Sequence, residues 1–328
     1  MDRAGLRIVR AGPLVTVQDR GRLGAARYGV SWSGPMDWTA QAVALRLAGC
    51  SPNAPAIEAG PGGIVVACEN AAVRIGLAGR NGIARIEGSA GSRAIPLPAR
   101  IVLRPGERLN LRPLAGNWVT LAAKGLDVGP STLDSHATNA RTGLGPARPD
   151  VGTLLPCAPA EPEPDLPYLD PLVDAAGPVR IMPAPQTHLF DEVSLLRLVS
   201  EPFLVTPKRD RQGGRLQGPG LCAPGGHDIA SDALVPGAMQ VPGDGHPIVL
   251  TADCAPTGGY PKIAIVIRAD LPRLAQTAAG MEIGFAWASE SEARAALFAL
   301  EDAVANPMPR RRQALPEAFL RGLRRSGA

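Results

Sequence analysis

Four stretches of the sequence gather charged, hydroxyl and amide side chains around glycine, the composition a binding or catalytic loop needs. TVQDRGR, Thr16 to Arg22, places Gln18, Asp19, Arg20 and Arg22 at the end of a strand, where glycine lets the backbone turn sharply. VSWSGPMD sets Ser31, Ser33 and Asp37 ahead of a helix, a geometry in which free amides and the helix dipole can hold an anion. KRDRQGGRLQG brings Lys208, Arg209, Asp210, Arg211 and Arg215 together around a double glycine. DCAPTGGYPKIAIVI supplies Asp253, Thr257, Gly258, Gly259, Tyr260 and Lys262 directly before an apolar run that must be a buried strand.

Each stretch also has a plainer reading, a hairpin turn whose polar groups satisfy backbone. Asp19 and Arg22 could be a turn salt bridge, Tyr260 a core residue with its hydroxyl outward, and Lys262 an edge charge against aggregation. The fourth stretch stands out because the strand behind it holds the loop rigidly, and rigid loops at sheet ends are where binding groups are useful.

The elements that must position these residues are mostly short strands. Runs such as GIVVAC, NWVTLAA, PVRIMP, PIVLTAD and KIAIVIR are four to seven residues long and bounded by Gly, Pro or Asn. Helices are few. One is expected in MDWTAQAVALRLAG, with Met36, Ala40, Val43 and Leu47 on one face and Gly49 as its stop. A second follows Ser289 and Glu292 at capping-box spacing and ends at Asn306 and Pro307; a third is expected over about 316–325. The proline-rich PCAPAEPEPDLPYLDP reads as an extended spacer. The predicted organisation is a first β domain over 1–155, a linker over 156–176, a second β domain over 177–290 and a C-terminal helical, basic segment over 291–328. A loose echo between the halves, strand, proline turn, strand and an R-L-x-G segment, fits duplication but also chance similarity of two β-rich sequences.

Composition narrows the function classes. The net charge of +4 sits in the tail, where Arg310, Arg311, Arg312, Arg321, Arg324 and Arg325 face only Glu317. Aromatics are scarce at 4 %, so neither a phosphate-spanning surface nor a base-stacking platform for nucleic acid is expected. Five widely spaced cysteines without a CxxC suit reduced thiols in a cytoplasm, and no 18-residue apolar run suggests a membrane span. The four histidines are far apart with no metal-ligand spacing, and neither a P-loop nor a Rossmann turn is present.

At these residues the chain resembles the family of the C component of bacterial ATP-dependent 5-oxoprolinase, which includes KipA, allophanate hydrolase subunit 2 and biotin-dependent carboxyltransferase-like proteins. The resemblance spans about residues 5–290 and rests on TVQDRGRLGAARYGVSWSGPMD, AIEAGPGG, DRQGGRLQG and GAMQVPGDGHPIVLTADCAPTGGYPKIAIVIRADLPRLAQ in that order. It implies a mainly β fold of two cyclophilin-like β-barrel domains. It also implies two partners, the KipI-like B component and the A component of 5-oxoprolinase, and ATP-driven opening of the 5-oxoproline lactam to glutamate. ATP with Mg²⁺ would be the cofactor, and biotin only for a carboxyltransferase. A urea-related amidohydrolase or carboxyltransferase, and a KipA-type regulator without turnover, are the alternatives.

Transferred to this chain, that chemistry assigns Lys262, Asp210, Arg211 and Arg215 to catalysis around a phosphoryl group. Gln18, Asp19, Arg22, Ser33, Asp37, Gln240, Thr257, Gly258, Gly259 and Tyr260 fall to substrate binding. The chain departs from the usual pattern at Lys124 to Leu126, at His136 where an arginine is habitual, and at Ala137, Ala184 and Gln212. Those departures leave the fold in place and bear on the substrate.

Overall fold

The computed structural model describes residues 3–80, 82–114, 118–168 and 177–307. The helix expected over 316–325 and the arginine-rich tail lie outside the described residues.

Strands dominate, as the short apolar runs predict. Ile64–Glu69 alternates buried and half-buried positions residue by residue, the pattern of a strand with one face in a core. It belongs to a six-stranded antiparallel sheet that also holds Leu154–Pro156, Gly5–Ala11, Arg108–Pro113, Gly82–Gly88 and Gly91–Ile95. A second such sheet contains Leu166–Pro167, Ala99–Leu103, Val73–Ala78, Val119–Ala123, Ala56–Ala59 and Val15–Gln18. Leu6, Ile8 and Ile64 from the first sheet share one core with Ile57, Ile75, Leu77 and Ile101 from the second. Register enforces this, because a one-residue slip would turn every one of these side chains to the opposite face.

The second half closes around its own core of Ile181, Phe203, Met239, Ile263 and Phe285. Its eight-stranded sheet runs Glu282–Ile283, Phe203–Arg209, Gly213–Gln217, Ile248–Leu250, Ala238–Gln240, Lys262–Val266, Val179–Pro183 and Phe285–Trp287. Only the last pairing is parallel. Asp232–Ala233 and Thr257–Gly258 form a separate two-stranded sheet. The mainly β, barrel-like architecture agrees with the sequence reading.

Helix α1, Trp38–Ala48, starts where Asp37 accepts hydrogen bonds from the Ala40 amide and the Thr39 hydroxyl, and stops at Gly49 with φ 71°. Because the cap falls at Asp37, Met36 is left outside the helix on which the periodicity placed it. Helix α2, Glu192–Ser200, was not anticipated; its signal is Asp191 capping the Ser194 amide and the spacing of Leu195, Leu198 and Val199. Helix α3 is the short Leu271–Ala275. Helix α4, Glu290–Ala305, carries the expected Ser289–Glu292 capping box and lays Leu300 and Val304 against the α1 cluster. Residues 156–168 of the proline-rich stretch are extended and tied to the first body: Glu163 pairs with Arg74 and Arg100, and Asp165 with Arg93. Among the described residues no helix is long and apolar enough to cross a membrane.

Helix α1 lies directly on the strand Val73–Ala78, and Gly76 makes the contact. A Cβ there would stand 1.9 Å from the Ala44 carbonyl oxygen and 2.8 Å from the Ala48 nitrogen. We therefore expect Gly76→Ala to push α1 off its sheet and cost about 3 kcal/mol by overpacking. Urea denaturation should show a lower midpoint, and an unchanged midpoint would mean that the helix is not pressed on the strand.

Candidate functional site

The two cores meet along a seam organised by Arg211, which is 5 % exposed. Its Nε donates to Asp253 Oδ2 at 2.8 Å within its own body. Its Nη1 reaches into the first body to Glu58 Oε2 at 2.5 Å, and Nη2 donates to the Gly34 carbonyl. The guanidinium also lies 5.9 Å from the Trp118 ring centre. Glu58 is fully buried, and its other oxygen accepts the Met36 and Asp37 amides at 2.8 and 3.2 Å. Burial pushes the Glu58 carboxyl up to about 7 against the downward pull of Arg211 and those amides. Arg211 keeps its proton, because burial works against the charge but Asp253 and Glu58 more than offset it.

Gln276 makes the second bridge. Its Nε2 donates to Asp37 Oδ2 at 2.7 Å and to the Trp118 carbonyl at 2.9 Å, and its Oε1 accepts the Trp118 amide at 3.3 Å. The segment Ser33 to Asp37 is consequently fixed from several sides, with Gln18 Oε1 also accepting the Gly34 amide at 3.0 Å. Ser33 is held at φ 59°, an uncommon conformation for a residue with a side chain and one that clusters at functional sites.

That segment forms one wall of a cleft of ≈ 340 Å³ between the bodies. Trp32, Ser33 and Met36 line it from the first body; Arg209, Asp210 and Arg268 line it from the second. Arg20 lies on the same wall as Ser33. Among the described residues none of Arg20, Arg209, Asp210 and Arg268 forms an ion pair. Three cations against one carboxylate in a partly apolar cavity favour a small ligand carrying negative charge. No group of three or more His, Cys, Asp or Glu able to hold a metal occurs among the described residues.

The residues singled out in the sequence separate into distinct places. Ser33 and Asp210 line the cleft; Asp210 Oδ1 also accepts the Gln212 and Gly213 amides at 2.7 and 3.2 Å. Arg211 and Asp37 lie behind it as the seam just described. Gln18 is buried and spends its amide nitrogen on Thr16 Oγ1 and the Thr138 carbonyl. Asp19 accepts the Gly21 amide, Ser135 Oγ and the His136 amide, and no ion pair joins it to Arg22. Arg22, 1 % exposed, donates Nε to the Thr132 carbonyl, while both its Nη atoms are without hydrogen-bond partners. Arg215 pairs with Asp244, in the loop between Ala238–Gln240 and Ile248–Leu250.

The TGGYPK stretch stands away from the cleft lining. Thr257–Gly258 pairs with Asp232–Ala233, and the space of a Gly258 Cβ is taken by Gln240 Nε2 and Leu234 Cδ1, both at 2.8 Å. A side chain there would have to displace the ends of the Gln240 and Leu234 side chains. Gly259 gives its carbonyl to the Ile229 amide, and Gln240 Nε2 donates to the Tyr260 carbonyl at 3.3 Å, with the Tyr260 ring half exposed. Lys262 is 2 % exposed and donates Nζ to Asp232 Oδ2 at 2.7 Å and to the Ala233 carbonyl at 3.0 Å. Lys262 and Gln186 together hold the Asp232 carboxyl down at about 2.

With this geometry in view, the likeness to known proteins is informative. Residues 28–287 match the family described as carboxyltransferase domain, subdomain A and B. The chain belongs to that family. Within it, the chain is 35 % identical to the C component of 5-oxoprolinase from Escherichia coli over 88 % of its own length and 93 % of the relative's. The solved protein TTHA0988 superposes with a TM-score of 0.76 at 31 % identity, over 87 % of this chain and 56 % of that one. The urea amidolyase of K. lactis superposes with a TM-score of 0.81 at 23 % identity, over 93 % of this chain and 20 % of that one, and supports the fold.

Arg268, Glu58 and Gln276 were not singled out from sequence, and Arg20 and Arg209 stood in the candidate loops without an assigned role. Glu58 had a signal, an acid inside the otherwise apolar AIEAG strand, which can be buried only with a partner. Two outcomes test the seam. Arg211→Ala strands two buried carboxylates and should cost about 3–5 kcal/mol in urea unfolding. Between the ordinary glutamate value of 4.5 and about 7 the folded chain holds a proton on Glu58 that the unfolded chain lacks, so stability falls as pH rises through that window. Glu58→Gln should flatten the slope, and an identical slope in both proteins would assign the proton elsewhere.

Proposed function

We propose that the chain is one subunit of an ATP-dependent 5-oxoprolinase-type complex that opens the 5-oxoproline lactam to glutamate. The observation that carries this reading is the end-to-end likeness to the 5-oxoprolinase C component, which covers 93 % of that relative. The cleft is consistent with it, since a small ring bearing a carboxylate and an amide suits an apolar wall of Trp32 and Met36 opposite unpaired arginines.

An amide carbonyl resists water because nitrogen donates into it. Phosphorylation of the carbonyl oxygen by ATP removes that resistance, and cations near the oxygen stabilise the charge that develops. ATP supplies the phosphoryl group, with Mg²⁺ carried on its phosphates. This chain's contribution would be Arg20 and Arg268, both exposed at the cleft. Asp210 has one oxygen held by two amides and the other without a bond among the described residues, which suits it to accept the ring N–H. In this reading Lys262 is a positioning residue that pins Asp232–Ala233 to the sheet. Exposed Leu23, on the cleft lining, and exposed Tyr28 leave surface for a KipI-like B component, with the A component completing the complex.

The family description favours a second reading, a carboxyltransferase acting with biotin. Co-expression with the adjacent-gene partner proteins, followed by assay with ATP and 5-oxoproline, separates the two. We expect glutamate and ADP in equal amounts, insensitive to avidin. Turnover that requires a biotinylated carrier would select the carboxyltransferase. A stable complex that consumes no ATP would select a KipA-type regulator.

A further inference from the structure

Arg209 has no counter-charge, yet it is the most firmly anchored of the cleft's cations. It ends the strand Phe203–Arg209, where the pairing with Gly213–Gln217 shifts register, so its side chain leaves the sheet at an irregularity. Its Nη2 donates to the Ala275 carbonyl at 2.8 Å and its Nη1 to the Thr277 carbonyl. These are free carbonyls at and just beyond the end of α3, natural acceptors for a cation. The guanidinium is thereby locked in plane, with one N–H on each Nη and the Nε–H uncommitted among the described residues. Nε has no partner among the described residues yet is not one of the buried atoms that lack one, so it is open to solvent, and Arg209 lines the cleft. Burial lowers its pKa, and no carboxylate is close enough to raise it.

Its neighbour sharpens the point. Among the described residues Asp210 is the one acid on the cleft lining, so adjacent residues present a cationic fork and an acceptor oxygen. A ligand that carries a carboxylate and an N–H on the same small ring matches both; a ring with the N–H alone matches only one. We infer that Arg209 is the receptor for the ligand's carboxylate and makes the cleft selective for an acidic cyclic amide over the bare lactam. This inference rests on the cleft being the substrate site of the proposed reaction. A planar guanidinium held at two corners loses little freedom on binding, and its fork geometry fits a carboxylate with two parallel hydrogen bonds.

The test compares 5-oxoproline with 2-pyrrolidinone, which keeps the ring amide and lacks the carboxylate. Both are measured in the co-expressed complex, by calorimetric binding and by turnover with ATP. We expect wild type to prefer the acid, and Arg209→Gln to weaken 5-oxoproline binding and raise its KM by about tenfold or more. The KM for ATP and the weak binding of 2-pyrrolidinone should be unchanged. Arg209→Lys, which keeps the charge without the fork, should fall between, and thermal midpoints of both variants report whether the α3 turn is intact. If turnover proceeds and the acid-to-lactam ratio is the same in wild type and both variants, the carboxylate lies elsewhere and the inference is overturned. Arg209-dependent binding of 5-oxoproline without turnover would uphold the receptor and remove the proposed reaction.

Discussion

A single buried guanidinium carries the junction of this molecule. Arg211 takes three acceptors from two bodies, Asp253 from one and Glu58 with the Gly34 carbonyl from the other. Removing a charge from water costs several kcal/mol even after relaxation, and only close, well-directed partners offset it. The requirement runs in both directions. Glu58 is tolerable in an apolar strand because Arg211 arrives, and Arg211 is tolerable in the seam because Glu58 and Asp253 are already in place. Two amides of the segment before α1 complete the Glu58 shell, which ties the approach of the bodies to the shape of the cleft wall.

The cleft then owes its character to what the seam leaves over. The acids Glu58 and Asp253 are consumed inside the junction, so among the described residues the three cations facing the cavity share it with a single carboxylate, Asp210. Arg268 lies 5.5 Å from the Trp38 ring centre, and Arg209 leans on the turn after α3. Positive potential in a partly apolar cavity is stronger than the same charges would produce on an open surface, because the walls exclude solvent.

Much of the scaffold was legible because it follows local rules. Strand periodicity, the Ser289–Glu292 box and the Gly49 stop all appear where the side-chain pattern required them. The polar clusters were found, but their internal division was not. In KRDRQGGRLQG, neighbouring residues point in different directions at an irregular strand end. Arg211 goes into the seam, Arg209 and Asp210 go to the cleft, and Arg215 goes to Asp244 in a neighbouring loop. No one-dimensional spacing encodes that choice, since it depends on which body docks against which. The TGGYPK stretch teaches the complementary lesson: the Gln240 and Leu234 side chains fill the space where a Gly258 Cβ would stand, a long-range contact that looks, in sequence, like loop freedom.

Helix α4 starts beyond the last strand of the second body, yet Val304 is buried and Leu300 half-buried against the cluster built on α1. The outer side of α1 is therefore covered by residues that follow it by most of the chain's length. At ribosomal speeds of about 5–20 residues per second, that side would wait roughly 10–50 s for its cover during synthesis. Through that interval the nascent amino-terminal half keeps open to water the apolar surface that Val304 and Leu300 later cover.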